Sequence, residues 1–388
     1  MKIDRGYLTQ TLSDLVRINS VNPTLVPGGA GEVEIAAYVR RSLAGCNLRV
    51  NTYEPQPGRV SVVGRWPGTG RGKFLMLNAH YDTVGVDGMD EPFSGAVRDG
   101  RLYGRGAFDM KGSLAASMTA LKALADGGVT LGGDVMVAAV ADEEYGSIGT
   151  ADLVACHRAG HLRVDGAVIT EPTALKICIA HKGYLWIDVE TVGRSAHGSK
   201  FEQGVDANMR MGRFLAELDK LEQTLRNGPA HPLVGPPSLH AALLSGGSGL
   251  STYAAACKLQ IERRTVPGET EAKAVAEVQA IVNRLQAADP TFHAHVKPFF
   301  VRDPFEVSRD AGIVQAADKA VSKVSGKAPE YFGDTPWMDA ALLSAAGIET
   351  VVIGPAGEGA HADVEWVDVD SCLQLAEILV HVASEYCR

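Results

Sequence analysis

The 388-residue chain is long enough for two domains, and its 46% hydrophobic and 21% charged content is that of an ordinary water-soluble globular protein. A net charge of −9 (37 Lys and Arg against 46 Asp and Glu), with no basic block, argues against nucleic acid or an anionic membrane surface as the main partner. The six cysteines form no C-x-x-C pair and are too sparse for a disulfide framework. With no apolar signal segment at the N-terminus and no apolar run of about 18 residues, a cytoplasmic protein with mostly buried thiols is expected.

Leu8, Leu12, Leu15 and Val16 recur at helical spacing, which predicts an N-terminal helix ending near Asn19. A loop containing Asn22-Pro23 and Pro27-Gly28-Gly29 precedes a second helix over 32–43, with Ile35, Ala36 and Val39 inward. A strand is expected over 60–63 and a turn over 67–72. The apolar run 74–77 is too short for a helix and reads as a fully buried parallel strand. Just past it, His80 and Asp82 stand two residues apart, on one side of an extended chain. A carboxylate so placed can fix the tautomer of a metal-binding imidazole.

A glycine-rich loop over 100–112 leads into a helix over 113–125. Gly104 and Gly106 lack the strand and lysine of a phosphate loop. Asp109, just ahead of the helix, reads locally as a helix cap. Short apolar strands at 135–140 and 167–169 run into Asp142-Glu143-Glu144 and Thr170-Glu171-Pro172, and a strand at 350–353 leads to Gly359-Ala360-His361-Ala362-Asp363. Strands separated by helices, each followed by a carboxylate or histidine, predict a parallel sheet presenting a cluster at the rim where its strands end.

Between 182 and 297 the pattern changes to a strand (184–192), a helix (206–225), two strands (238–244 and 258–264), a helix (269–288) and a last strand (291–297). This is the ferredoxin-like order. The expected architecture is α/β: a mostly parallel-sheet catalytic domain with helices on both faces, built from 1–181 and 298–388. A ferredoxin-like α+β lid and dimerisation domain at 182–297 interrupts it.

His80-Tyr81-Asp82, Asp109-Met110-Lys111-Gly112, Glu143-Glu144, Glu171-Pro172 and Ala360-His361 follow one another as they do in the dinuclear zinc aminoacylase and carboxypeptidase family. The chain resembles this family, which includes acetylornithine deacetylase, succinyl-diaminopimelate desuccinylase and glutamate carboxypeptidase, over nearly its whole length. The resemblance implies two divalent metal ions, zinc by donor type with cobalt or manganese as substitutes. His80, Asp109 and Glu171 would hold one; Asp109, Glu144 and His361 would hold the other, with Asp109 bridging. Asp82 would orient His80, and a cis peptide would follow Asp109. Glu143 would act as general base toward a metal-bridging hydroxide that attacks the scissile carbonyl.

Gly193-Arg194-Ser195-Ala196-His197-Gly198 is similar to the family's lid motif, whose histidine donates to the oxyanion from the partner subunit. That role requires a homodimer formed through the inserted domain. Arg264 matches the arginine that grips the substrate carboxylate, with Arg263 on the opposite face in solvent. The chain departs from the family where Ser251 replaces an asparagine near the substrate and Ala254 replaces a proline. Trp337 either contacts substrate or packs in the core, with packing favoured.

The expected activity is hydrolysis of the amide bond of a small N-acyl amino acid. A dipeptidase or carboxypeptidase using the same centre is the alternative within enzymes. A catalytically silent metal-binding interaction protein is the alternative outside them, and it would have no use for Glu143 beside the metals.

Overall fold

A computed structural model describes residues 2–388, which divide into two compact units. The first comprises the chain up to Ile179 with Val307–Phe332 and Met338–Arg388; the second is Ala180–Glu306 with Gly333–Trp337. The expected boundary at 297/298 falls inside the strand His293–Arg302.

In the first unit the central strands Val135–Val140, Leu75–His80, Gly166–Ile169 and Glu349–Val352 lie side by side in that order, all parallel. Val135–Val140, Leu75–His80 and Gly166–Ile169 are buried along their whole length, as sheets covered on both faces require. Parallel pairing covers only this middle. Arg59–Trp66 joins antiparallel to Val135–Val140, Arg49–Gln56 joins antiparallel beyond it, and at the other side Cys178 stands antiparallel to Val352. The sheet is therefore mixed, with its parallel portion in the centre.

Register brings the exits together. His80 pairs with Val140 and Asn78 with Ile169, so the segments leaving these strands emerge at one rim. Val352 pairs with Ile169, and Gly354 beyond it packs so closely that a Cβ there would lie 2.1 Å from the carbonyl oxygen of Glu171. Helix Gly112–Asp126 is built of Ala, Leu, Ser and Met, is buried nearly all round, and packs against the C-terminal helix Val369–Tyr386.

A small antiparallel sheet joins Gly357–Glu358, Trp366–Asp368, Arg101–Tyr103 and Ala96–Arg98 in that order. It ties the segment carrying His361 to the segment leading to Asp109, since Trp366 pairs with Tyr103 and Val367 with Leu102.

The second unit is an antiparallel sheet in the order Ser238–Gly246, Ala256–Thr265, Gly183–Val192, His293–Arg302, with helices Ala207–Arg226 and Glu271–Ala288. Strict alternation along Gly183–Val192 buries Leu185, Ile187 and Val189 beside Phe214, Val278 and Phe292 of this unit's core. Asp206 caps the first helix through Asn208 N and Met209 N, and Thr270 caps the second through Lys273 N. No helix among the described residues is long and apolar enough to cross a membrane.

Candidate metal centre and catalytic residues

His80 is the last residue of its buried strand, and three carboxylates approach its Nε2: Asp109 Oδ1 at 3.0 Å, Glu171 Oε1 at 3.5 Å and Glu143 Oε2 at 3.9 Å. His361, on the loop beyond Gly357–Glu358, places its Nε2 3.1 Å from Glu144 Oε2 and 3.4 Å from Asp109 Oδ2. The two oxygens of Asp109 thus face two different imidazoles. Within this cluster one ligand atom each of His80, Glu143 and Glu171, and one each of His80, Asp109 and Glu144, lie within 4.8 Å of one another. The Asp109–Met110 peptide is cis, the backbone kinks out of helical geometry at these two residues, and the Asp109 carboxylate makes no helix cap. Asp142, Ser147 and His361 all have left-handed backbones (φ 68°, 52° and 61°) that side chains other than glycine rarely adopt.

The charges explain what such a cluster accepts. Burial pushes the carboxyls of Glu143, Glu144 and Glu171 up, and each is raised further by neighbouring carboxylates. Burial opposes a charged Asp109, but His361 and His80 outweigh it and hold its carboxyl below the usual range. Burial likewise opposes a His80 cation, yet Glu171, Asp109, Asp82 and Glu143 raise its pKa well above the ordinary value. Hydrogen bonds to Asp109 and then Glu144 raise His361 to about 10. The crowded carboxylates thus repel one another in a setting that bound divalent cations would relieve. Two imidazoles and carboxylate oxygens form a donor set that fits zinc, cobalt or manganese.

Asp82 lies beside His80 with both its carbonyl and its carboxylate. The carbonyl is 3.0 Å from His80 Nδ1 and the carboxylate 3.6 Å. That carboxylate accepts from Asn22 Nδ2 (2.8 Å) and from the backbone N–H groups of Glu143 (3.1 Å) and Glu144 (3.3 Å), so it fixes the turn that carries both glutamates. Asn22 also donates to Asp142, which pairs with Arg59. No local pattern marks Asn22, Arg59 and Asp142 as one network, since Asn22 and Arg59 lie 120 and 83 residues from Asp142.

In the second unit His197 is exposed, and its loop pairs with that of Ser251: Gly198 N donates to Ser251 O at 2.8 Å, and His197 bridges Thr252. Arg264 donates from Nε to Glu262 Oε1 at 2.7 Å, while its guanidinium lies 4.8 Å from the centre of the Tyr184 ring. Glu262 also accepts from Trp186 Nε1 at 3.0 Å. Arg263 is not in solvent. It is fully buried on the helix side of the sheet, paired with Glu269 at 2.9 Å and Glu277 at 3.1 Å, because carboxylates of that layer neutralise it. Trp337 is half-buried rather than in the core, edge-on to Tyr184 and His181, with its N–H donated to the Asp303 carbonyl.

Residues 76–385 match Peptidase family M20/M25/M40. Acetylornithine deacetylase of Myxococcus xanthus is 31% identical over 364 residues, 90% of this chain and 91% of that protein. N-formyl-4-amino-5-aminomethyl-2-methylpyrimidine deformylase of Halalkalibacterium halodurans is 28% identical across 98% of this chain and 95% of its own. A tripeptidase from Staphylococcus aureus superposes with a TM-score of 0.80 at 20% identity, covering 100% of this chain and 99% of its own, a likeness of fold. The chain belongs to Peptidase family M20/M25/M40. It is a metallohydrolase that cleaves amide bonds.

Proposed function

We propose that this protein is a deacylase of small N-acyl amino acids, with His80, Asp109 and Glu171 holding one divalent cation and Asp109, Glu144 and His361 the other. The observation that carries this reading is the convergence of these side chains at one sheet rim, with Asp109 between the two imidazoles. Cations bound there would polarise the scissile carbonyl and make water acidic enough to attack near neutral pH. Glu143 takes the proton from the attacking water and returns it to the leaving nitrogen. Its backbone, fixed by Asp82, aims it at the cluster without drawing on the carboxylates that ligate. His197 steadies the developing oxyanion, and Arg264 receives the substrate carboxylate on the terminal nitrogens that its bond to Glu262 leaves out.

Removal of a small acyl group from an amine is what the names of both relatives describe, which favours a deacylase over a peptidase. Ser251 in place of an asparagine points to a substrate other than acetylornithine. Strand Ser238–Gly246 is the outer strand of its sheet and largely exposed, with Leu243 and Leu244 at 65% and 56% exposure. It suits pairing with a second copy of this unit. The six free cysteines suit a reducing cytoplasm.

Amine release from a panel of N-acetyl amino acids and dipeptides, with and without zinc or cobalt, tests the reading. Metal-dependent turnover of the N-acetyl compounds is expected. Release from dipeptides alone makes the protein a peptidase; no release by metal-loaded protein makes it a silent binder.

A further inference from the structure

Glu365 lies four residues beyond His361 and has no place in the chemistry described so far. Its side chain is fully buried and receives four donors: Arg105 Nη1 at 2.7 Å, Gly106 N and Asp109 N at 3.0 Å, and Phe108 N at 2.9 Å. Three of these are consecutive or near-consecutive backbone amides of the turn that carries Asp109. Arg105 completes a bracket, with Nη2 donating to the Ala362 carbonyl at 3.1 Å and Nε to the Gly85 carbonyl at 2.9 Å. Gly104 N donates in turn to the Glu365 carbonyl at 3.1 Å. One buried ion pair therefore fastens the loop of Asp109 to the loop of His361.

We infer that Glu365, with Arg105 as its counter-ion, is a positioning residue that holds Asp109 and His361 at the separation needed to share a cation. This rests on reading the cluster as a metal centre. The physical reason is the local backbone. Asp109 follows a glycine-rich loop in which Gly104 and Gly106 have φ of 138° and 78°, so the helix behind it does not fix the aspartate's direction. His361 is half-exposed, on a loop with a left-handed backbone. Neither ligand rests on a strand, as His80 does. A carboxylate with four charge-assisted or backbone donors supplies the missing rigidity.

Metal-free protein titrated with cobalt(II) alone, followed by calorimetry and visible absorption, tests this. Glu365→Gln is expected to bind cobalt 10–100-fold more weakly, the usual effect of removing a group that orients metal ligands. The control is Val137→Ala, which opens a cavity in the fully buried strand Val135–Val140. It is expected to lower the unfolding temperature and leave cobalt affinity within about twofold of wild type. Cobalt affinity of folded Glu365→Gln equal to wild type overturns the inference, as does an equal loss in Val137→Ala. Should Glu365→Gln fail to fold, Arg105→Lys keeps the charge but removes the fork to Ala362 and Gly85, and unchanged cobalt affinity there is equally fatal. Wild-type protein that takes up no cobalt would instead overturn the metal-centre reading itself.

Discussion

The backbone N–H of Ser199 points at Nδ1 of His197 from 3.2 Å. A backbone amide only donates, so Nδ1 is the acceptor and the ring proton sits on Nε2, free to be offered outward. The Ser199 hydroxyl, 2.9 Å from the same nitrogen, reinforces this. His197→Ala is expected to lower kcat by about 10²–10³-fold, the effect of losing one oxyanion donor, with cobalt binding unchanged. Ser199→Ala keeps the amide donor and is expected to lose far less. Equal losses in the two variants would mean that the hydroxyl, not the amide, sets the tautomer.

Glu143→Gln removes the proposed base and keeps its shape. Steady-state assays should show kcat lower by about 10²–10⁴-fold, while metal content by elemental analysis stays at the wild-type level. Retained turnover would take Glu143 out of the mechanism.

Arg264→Ala is expected to raise KM for an N-acyl amino acid by about 10–100-fold, the worth of hydrogen bonds to a charged group. The same substrate with its carboxylate blocked as a methyl amide should show no such difference between variant and wild type. Glu262→Gln, which loosens the Nε contact, should shift KM in the same direction by less.

Glu32 is buried at the start of helix Val33–Gly45 and neither of its oxygens accepts a hydrogen bond, although Arg59 Nη2 lies 3.2 Å away. Burial, then repulsion from Asp82, raises its pKa to about 8 against the pull of Arg59. The folded state thus holds a proton that the unfolded chain gives up near pH 4.5. This contribution to stability is complete below the unfolded value and is lost as pH rises through about 8. Urea unfolding of Glu32→Gln should show a flatter decline between pH 5 and 9, with a gain over wild type at pH 9 on the order of 1–3 kcal/mol. A parallel decline in both proteins would assign the pH dependence elsewhere.

Gly354→Ala would set a methyl 2.1 Å from the Glu171 carbonyl and 2.5 Å from that of Thr170. Backbone cannot yield as a flexible side chain does, so the strand end carrying Glu171 must move. Cobalt affinity and activity should fall together, by 10-fold or more on the order of a displaced ligand.

How legible these parts were in the sequence depended on whether local pattern or distant contact decided them. Leu75–His80 and Val135–Val140 announce themselves because a doubly covered strand is a short unbroken apolar run. Gly183–Val192 does so through alternation. Arg49–Gln56 is mostly exposed at the sheet's edge, carries no apolar rhythm and goes unread. The strands of two or three residues that bind the His361 segment to the Asp109 loop are likewise too short to leave a signal. Arg263 and Arg264 differ only in which face of one strand they occupy; alternation separates them but does not say that Glu269 and Glu277 wait on the inner side. Helix Val369–Tyr386 is a different case, since Cys372, Leu375, Ala376 and Leu379 recur at helical spacing and mark its buried face.

Val307 donates its backbone N–H to the carbonyl of Ile179 at 2.9 Å, so the chain leaves the first unit and comes back to it at neighbouring points. A short Asn-Gly turn in place of residues 180–306 would close that gap without stretching either flank. The excursion between them is an insertion at one point of the first unit, and Gly333–Trp337 are the other stretch assigned to the second. The register of the rim that gathers His80, Glu144 and Glu171 is set by strands outside that insertion. On the proposed reading, residues that choose the substrate and residues that hold the metals can then diverge along separate stretches of one gene.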